Sequence, residues 1–596
     1  MRRFVKMEWD LSVLYASMDD PMIQEDLEAL KEKVGEWNAL IDVICQDDQE
    51  ATRKLEEALK LESETLLLAQ KLGGYVSLVS SADTQNEKAV KYEDLIDQIL
   101  NDSVESSTCF ENWLSHLPDL DRVLNSTPYL SEHAFVLKEM QMQEKYRLSS
   151  REEALVASMR QTGSSAFARL KDQIIGNMKV DLELNGKAEK LPLTMVLNLA
   201  YDPDPVTRKK AYEAEIAAYQ DTEDGLAACL NAIKGEVLTV SKWRGYESVL
   251  DETLLDSRMD RETLETMLEA IRESLPHFRA YMKAKAEALG HTNGLPFYDL
   301  YAPVTQTTER YTYQEAGQLI VEQFAGFDQE MADMAQRAID EHWIDVYPRA
   351  GKVGGAFCAN LPSVKQSRVL MNFGASFDSI VTMAHELGHA FHNLCSQNES
   401  ILNLNSPMPL AETASTFNET LVKKAALASM SDEEALAVLE AEVSGCNQVI
   451  VDIYSRFLFE DAFFKERANG PLSAKEICHL MEEAQIESYG DGLDPHYRHP
   501  YMWTWKPHYY YATANYYNFP YAFGQLFAKG LYAMYVKEGP AFVSKYKQLL
   551  ASTGKMSVYD VAKSIGINIH DIDFWRSSLK MIEEDIDTLI EKLSLR

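Results

Sequence analysis

Residues 377–396 read FDSIVTMAHELGHAFHNLCS, and this stretch contains the sharpest chemical pattern of the chain. We predict a helix that begins after Ser376 and ends at residue 396. His385 and His389 are four residues apart, so their imidazoles project from one face of that helix, one turn from each other. Two nitrogens at this spacing can hold one zinc ion. Glu386 lies beside them, where its carboxylate can act as a general base without binding the metal.

A glycine occupies the middle of this predicted helix. Gly388 costs about 1 kcal/mol of helix stability relative to alanine. The position therefore predicts that another backbone, or a substrate, approaches the helix closely at this point.

Two histidines leave a zinc site without its third protein ligand. The metzincin pattern would place glycine at 392 and histidine at 395, and the chain has His392 and Cys395 instead, which excludes that class. His392 faces the same way as His385 but lies two turns along, about 10 Å away. We interpret His392 as a structural residue, or as one that supports the site without binding the metal.

Acidic residues further along the chain are the candidates for the third ligand. Glu399 lies in the polar loop SQNES and is predicted to be solvated. Glu412 has small and apolar neighbours at the start of a helix, where a carboxylate requires a partner such as a metal. Glu419 lies seven residues later on the same face and can orient a ligand histidine through its second ring nitrogen. For Glu412 and Glu419 the alternative is an ordinary exposed position on a helix.

The rest of the chain is predicted to be mostly helical. Helical patterns fill residues 20–175 and return over 206–242, 260–289 and 313–342. Alternating apolar residues near 178–193, followed by Asn185-Gly186, predict a hairpin. Shorter β-like runs lie within 346–373.

Proline and glycine motifs and helix-capping residues predict where secondary-structure elements and domains begin and end. Asp202-Pro-Asp-Pro205 divides a helical N-terminal lobe, residues 1–202, from a catalytic domain, residues 203–596. Ser431 with Glu434 predicts a capping box for a long helix that ends at Gly470-Pro471, and Ser473 with Glu476 predicts a second capping box.

Composition excludes several classes of function. The chain has 596 residues and a net charge of −35, so it lacks the basic surface that nucleic acid binding requires. The seven cysteines are scattered without a CxxC pair, which indicates free thiols in a reducing compartment. The N-terminus shows no export signal, and no apolar run is long enough to cross a membrane. We therefore expect a soluble, cytoplasmic protein.

A second unusual region is residues 496–523, where 12 of 28 residues are aromatic and eight are tyrosines. Packing explains the tryptophans well, but buried tyrosine hydroxyls need partners. Peptide hydrolysis passes through an oxyanion, and His508 and Tyr517 are suited to donate hydrogen bonds to it. Competing candidates for the tyrosine are Tyr511, Tyr516 and Tyr521.

Together, these residues resemble the oligoendopeptidase F family, within the thimet-oligopeptidase-like zinc metallopeptidases. The resemblance spans nearly the full chain and rests on a series of segments in the same order: Trp9–Ser12, Tyr298–Pro303, Gly354–Cys358, His385–His389, Glu412–Ser415, His508–Tyr510 and Tyr517–Tyr521. The combination is specific, although the zinc motif alone occurs in many families.

The resemblance implies a mostly α-helical fold, with two helical lobes flanking a deep channel that admits short unfolded peptides and a small β element in the catalytic part. It implies one zinc ion held by His385, His389 and Glu412, with Glu386 as the general base. The oxyanion donors of the family correspond to His508 and to one or more of the tyrosines that follow it, among which we select Tyr517.

The resemblance also implies that the segment around Gly355, Ala356 and Phe357 pairs with the substrate backbone as an added strand. Tyr521 is assigned to substrate binding as well.

The predicted function is a zinc endopeptidase of short peptides, with neither nucleic acid nor membrane as a partner. One alternative is an exopeptidase that acts at free C-termini. It would need a cation for the terminal carboxylate, such as Arg498, for which a salt bridge is the ordinary role. The other alternative is a peptide-binding protein without catalysis, against which the intact HExxH motif, Glu412 and His508 argue.

Overall fold

The computed structural model describes residues 7–184, 186–305, 310–428 and 430–595. Helices make up 71% of the chain, and the strands form only small sheets, so the predicted fold class is confirmed. Among the described residues, no helix combines the length and the apolar composition that a membrane span requires. The chain folds into two compact units, each assembled from three separate segments.

The first unit comprises Met1–Tyr146, Glu309–Ala425 and Met534–Gly566. Its helices are Pro21–Ile44, Ala51–Ala82, Glu87–Asn101, Val104–His116, Leu120–Leu124, Pro128–Glu132, Ala134–Glu144, Tyr313–Phe327, Gln329–Asp340, Phe377–Ser396, Met408–Ala411, Thr413–Leu427, Ala541–Ser552 and Val558–Ser564. The long helix Ala51–Ala82 contributes Leu55 and Leu59 to one apolar cluster and Leu72 and Val76 to another.

A three-stranded sheet lies within the first unit and is the β element predicted for residues 346–373. Its central strand, Gln366–Leu370, pairs in parallel with Ile344–Asp345 and antiparallel with Phe357–Leu361. Phe357–Leu361 is therefore an edge strand, so the other side of its backbone is not paired within this sheet.

The second unit comprises Arg147–Thr308, Ala426–Ala533 and Ile567–Arg596. Its helices are Ser150–Thr162, Ser164–Asn177, Leu193–Asn198, Pro205–Gln220, Glu223–Arg244, Val249–Asp256, Arg261–Ala288, Asp432–Asn447, Ile453–Arg467, Ala474–Tyr489, Met502–Trp505, Phe519–Glu538 and Ile572–Ser594. The largest helix contact in this unit joins Arg261–Ala288 to Ile572–Ser594.

The predicted hairpin is present in the second unit. Strands Lys179–Leu184 and Lys187–Pro192 pair antiparallel, and Leu184 lies opposite Lys187. Gly186 in the turn has φ of +74°, a conformation that favours glycine. Asn185, the other residue of the predicted turn, lies outside the described residues.

Both predicted capping boxes are formed, by Ser431 with Glu434 and by Ser473 with Glu476. The long helix after Ser431 differs from prediction because a π-helical turn, Gln448–Asp452, interrupts it and because it ends at Arg467, three residues before Gly470. The chain division predicted at residue 202 remains a prediction, because the two units are defined by contacts and both are discontinuous.

Candidate metal centre and active site

The centre begins with the helix Phe377–Ser396, whose apolar side packs into the core of the first unit. Met383, Leu387 and Phe391 are fully buried, whereas His385 and His389 lie on the more open side. The two imidazole rings are 4.9 Å apart between centroids and are nearly perpendicular. The helix thus presents both side chains at one place, as their spacing predicts.

A second helix, Thr413–Leu427, packs against this one at Gly388. A Cβ atom added at Gly388 would lie 2.6 Å from both the backbone oxygen of Ala414 and the Cα of Ser415. Only glycine permits this approach, which agrees with the close backbone contact predicted for the position. The contact places Glu412, at the start of the second helix, opposite the histidines.

Glu412 meets both histidines through one oxygen. Its Oε2 lies 3.2 Å from His385 Nε2 and 3.3 Å from His389 Nε2, and Ser415 Oγ donates a hydrogen bond to the same oxygen at 2.7 Å. Within the described parts of the chain, these three residues are the one group whose metal-ligating atoms all lie within 4.8 Å of one another. The structure therefore brings the predicted ligands together.

Glu419 supports His385 from the other side of the ring. Its Oε1 lies 2.7 Å from His385 Nδ1, and Lys423 Nζ donates to its Oε2 at 2.8 Å. A carboxylate on Nδ1 fixes the tautomer that leaves Nε2 free for a metal. Lys423 was not identified from the sequence, although its spacing of four residues from Glu419 is a recognisable helical pair.

Electrostatics at the centre favour negative carboxylates around a cationic group. Burial lowers the pKa of His385, but hydrogen bonds and charge from Glu412 and Glu419 outweigh it and raise this pKa to about 10. Burial raises the pKa of Glu412, yet the two histidines hold it well below its usual range. The carboxylates of Glu412 and Glu419 thus favour a positive charge between them.

Glu386 occupies a different environment from the other carboxylates. The residue is 5% exposed, and its Oε2 is buried without a hydrogen-bond partner among the described residues. Burial raises the pKa of Glu386 despite the nearby histidines. A buried carboxylate with a free oxygen and a raised pKa has the properties of a general base.

The edge strand lies beside this helix. Asn393 Nδ2, one turn beyond His389, donates to Ser367 Oγ at 3.0 Å and so ties the helix to the sheet. Gly355 has φ of +79°, and its carbonyl accepts a hydrogen bond from Asn372 Nδ2 at 2.9 Å. Gly355 and Ala356 precede the strand, and Phe357 is its first residue. Asn393 and Asn372 were not identified from the sequence.

His508 belongs to the second unit and lies in an aromatic cluster with Tyr511, Tyr517 and Tyr521. The His508 ring is stacked on that of Tyr517 with centroids 5.0 Å apart, and it is 5.7 Å from Tyr511 and 6.4 Å from Tyr521. Burial, assisted by nearby Arg456 and Lys506, lowers the pKa of His508. The imidazole is therefore neutral at neutral pH and retains one N–H donor.

Tyr516 is separated from this cluster by its role in the core. Its side chain is buried, and its hydroxyl donates to Asp461 Oδ1 at 3.1 Å. Its φ of +50° is unusual for a tyrosine and indicates a backbone that its surroundings hold in place. Three tyrosines, rather than four, thus remain near His508.

A buried polar network holds the loop that contains Tyr517. Lys234 Nζ lies 3.0 Å from Glu460 Oε1 and 2.7 Å from Asn515 Oδ1, and Asn518 Nδ2 donates to Glu460 Oε2 at 2.9 Å. The loop is therefore anchored on both sides of Tyr517. This network was not identified from the sequence, because its members come from three distant parts of the chain.

Two further predictions can be compared with the structure. His392 is buried, and its Nε2 contacts Thr553 Oγ1 at 2.8 Å and the Leu550 carbonyl at 3.1 Å, which agrees with a structural role. The prediction that Glu399 is solvated is wrong, because it forms an ion pair with Lys555 at 2.6 Å and is only 19% exposed.

The donor set fits zinc. Two imidazole nitrogens and one carboxylate oxygen form a common zinc ligand set, and a structured carboxylate behind one histidine is the usual supporting arrangement. Next to His385 in sequence, Glu386 adds a carboxylate oxygen, Oε2, that has no hydrogen-bond partner in the described parts of the chain.

Comparison with known proteins gives a consistent result. The profile of peptidase family M3 matches residues 198–581, and that of oligopeptidase F matches residues 118–179. The group B oligopeptidase PepB of Streptococcus agalactiae is 24% identical over 98% of each chain. Oligopeptidase PepF of Bacillus subtilis is also 24% identical, over 98% of this chain and 87% of its own.

Solved structures show the same fold. A candidate peptidase from Chlamydophila abortus superposes with a TM-score of 0.87 at 21% identity and 98% coverage of both chains. Oligoendopeptidase F from Enterococcus faecium gives a TM-score of 0.69 at 19% identity, covering 97% of this chain and 99% of its own. Because the family profile covers more than half of the sequence, the chain belongs to peptidase family M3.

Proposed function

We propose that the protein is a zinc-dependent endopeptidase that hydrolyses internal peptide bonds of short, unstructured oligopeptides. The observation that carries the proposal is the convergence of His385, His389 and Glu412 beside Glu386, whose buried Oε2 has no hydrogen-bond partner among the described residues. Membership of a peptidase family and relatives named as oligopeptidases support the substrate class.

His385, His389 and Glu412 would hold the ion. A zinc ion bound there supplies a Lewis acid that polarises the scissile carbonyl and lowers the pKa of water. Glu386 accepts the proton of the attacking water and then delivers it to the leaving amine. Burial of the side chain favours the protonated form of this carboxyl between the two transfers.

His508 and Tyr517 supply hydrogen bonds to the oxyanion that develops at the scissile carbonyl. The lowered pKa of His508 keeps the imidazole neutral, so one N–H is available as a donor. Tyr517 is favoured because its ring stacks directly on that of His508, whereas Tyr511 and Tyr521 are further away.

The free side of the edge strand supports a substrate held in extended form. Gly355, Ala356 and Phe357 lie at the start of that strand, where an added peptide strand can pair with the backbone. Tyr521, 37% exposed at the edge of the aromatic cluster, can contact the substrate. A cytoplasmic location, with short peptides as substrates and neither nucleic acid nor membrane as a partner, completes the proposal.

The test is product analysis by mass spectrometry on short peptides, some of them blocked at both ends, with a chelator and after zinc addition. Internal cleavage of blocked peptides that a chelator abolishes and zinc restores is the expected result. Cleavage restricted to peptides with a free C-terminus would indicate the exopeptidase instead, and binding without cleavage would indicate the peptide-binding protein. Failure of zinc to restore activity would contradict zinc dependence.

A further inference from the structure

The second unit contains a cavity of about 330 Å³ with aromatic walls. Tyr212, Tyr298 and Tyr301 contribute to its lining, together with Trp505 and Lys506. The volume and the aromatic lining are typical of sites for small ligands. None of the roles assigned above uses this cavity.

Two consecutive residues of the lining carry hydrogen-bond donors that have no acceptor in the described chain. The indole nitrogen of Trp505 is buried without a hydrogen-bond partner among the described residues. Lys506 forms neither an ion pair nor a hydrogen bond within the described chain, and its amine lies over the Trp505 ring at 4.1 Å. Burial, with Arg456 nearby, lowers the pKa of Lys506 to about 8, so the amine is still mostly charged at neutral pH. A charged amine and an indole N–H both require an acceptor.

A third polar residue of the lining offers a hydrogen-bond acceptor instead of a donor. His499 is 2% exposed, its Nε2 lies 3.0 Å from Glu215 Oε1, and its Nδ1 is buried without a partner in the described chain. Because a carboxylate faces Nε2, a neutral His499 keeps its proton there and leaves Nδ1 as an acceptor. Glu215 itself is satisfied by His499 and by the Tyr219 hydroxyl.

We propose that this cavity binds the C-terminal residue of a peptide, with Lys506 and the Trp505 indole N–H holding the terminal carboxylate. The backbone N–H of that residue matches the free acceptor on His499, and its side chain contacts the tyrosines. The inference rests on the proposed function in taking peptides as the ligands. Arg498, considered above for such a carboxylate, lines a different cavity.

Equilibrium binding to the zinc-loaded protein tests the site. We expect N-acetyl-phenylalanine to bind at least tenfold more tightly than N-acetyl-phenylalaninamide by titration calorimetry, because only the acid carries the charge. Lys506→Met should reduce this ratio to about one, and Lys506→Arg should restore part of it. Lys475→Met, which changes an exposed lysine of the same unit, is the matched control and should leave the ratio unchanged.

Two results would overturn the assignment. One is equal binding of acid and amide to the unchanged protein. The other is a preference for the acid that survives in a folded Lys506→Met variant, since the metal would then be holding the carboxylate. Thermal unfolding of each variant establishes that it is folded.

Peptide turnover separates this inference from the proposed function and identifies the source of the carboxylate. The ratio of kcat/KM for a peptide with a free C-terminus to that for its amide should fall at least fivefold in Lys506→Met. A second ratio compares kcat/KM for a peptide with an internal Glu to that for the same peptide with Gln. If Lys506→Met lowers this second ratio and leaves the C-terminal ratio unchanged, the cavity binds an acidic side chain and the C-terminal assignment is overturned. Zinc-dependent cleavage of the amidated peptide tests the peptidase itself and does not depend on the cavity.

Discussion

The two chemical regions of the molecule are built in different ways. The metal centre of the first unit lies on two regular helices that touch at Gly388, so backbone hydrogen bonds and one close contact position its ligands. The tyrosine loop of the second unit, residues 511–518, lies between two helical segments, and a buried network around Lys234 and Glu460 holds it. Helical periodicity defines the first region, whereas long-range polar contacts define the second.

Glu386→Gln should produce the largest effect, because it removes the base and leaves the metal ligands unchanged. We expect kcat to fall by roughly 10²–10⁴-fold, with zinc content unaltered. Peptide turnover and metal analysis of the purified variant provide the two readouts. Asp378→Asn, an exposed acidic residue in the first turn of the same helix, should stay within twofold of the parent. Intact turnover in Glu386→Gln would contradict the mechanism.

Lys234→Met breaks the buried polar network that holds the tyrosine loop in place. Because it leaves the Glu460 charge buried and unpaired, the free energy of unfolding should fall by about 3–5 kcal/mol. The double variant Lys234→Met with Glu460→Leu should recover much of that stability but not the rate, since Asn515 and Asn518 still lack their partners. Denaturant unfolding and kcat measured on both variants check this. Recovery of stability and rate together would show that the network does not position the loop.

Tyr517→Phe tests which hydroxyl of the aromatic cluster acts. Removing one oxyanion donor should lower kcat by about 10²–10³-fold with little change in KM. Tyr516→Phe is the matched control, because the Tyr516 hydroxyl is bound to Asp461, and it should affect stability more than turnover. If Tyr511→Phe or Tyr521→Phe shows the larger loss, the role belongs to that residue.

Gly388→Ala tests the close contact on which the metal centre depends. The added Cβ meets backbone atoms of Ala414 and Ser415, so the second helix must move and carry Glu412 with it. We expect a loss of about 1–3 kcal/mol in stability and a weaker affinity for zinc. Gly73→Ala, in a helix of the same unit with no described atom within 4 Å of the added Cβ, should be neutral or slightly stabilising. Equal effects of the two changes would show that the contact can relax.

The contrast between the two regions also explains what the sequence could predict. His385 and His389 are linked by local helical geometry, and the small and apolar neighbours of Glu412 indicated a carboxylate that requires a partner. Gly388 was informative because a helical glycine has a recognisable cost. Local patterns of the same kind located the capping boxes and the hairpin.

Features that depend on distant partners were not accessible in this way. Lys234 meets Asn515 across 281 positions of sequence, and no local pattern links them. Glu399 was assigned to solvent because its partner, Lys555, lies in a separate segment of the same unit. Lys506 has an aromatic neighbour and a proline beside it, and only the folded cavity shows that its charge lacks a partner in the described part of the chain. The division into two units of three segments each likewise could not be predicted from the composition of the chain.

The smallest expected effect, up to tenfold for each pH unit, is a pH dependence of zinc affinity that arises from the carboxylates around His385. In the metal-free protein the pKa of His385 is raised to about 10, so a proton occupies the site below that pH and zinc must displace it. Apparent affinity should therefore rise up to tenfold per pH unit between about pH 7 and 10 and level off above. Glu412 adds no slope there, because its pKa lies well below its usual range.

Competition titrations with a chromophoric chelator, corrected for the chelator's own protonation, measure this slope. Glu419→Gln removes one of the two carboxylates that raise the pKa of His385, so the plateau should move to lower pH. Glu330→Gln, which alters an ion pair with Lys547 in the same unit, should leave the profile unchanged. A flat profile in the unchanged protein would mean that His385 is already neutral, and the network of Glu412, His385 and Glu419 would then owe its order to hydrogen bonding alone.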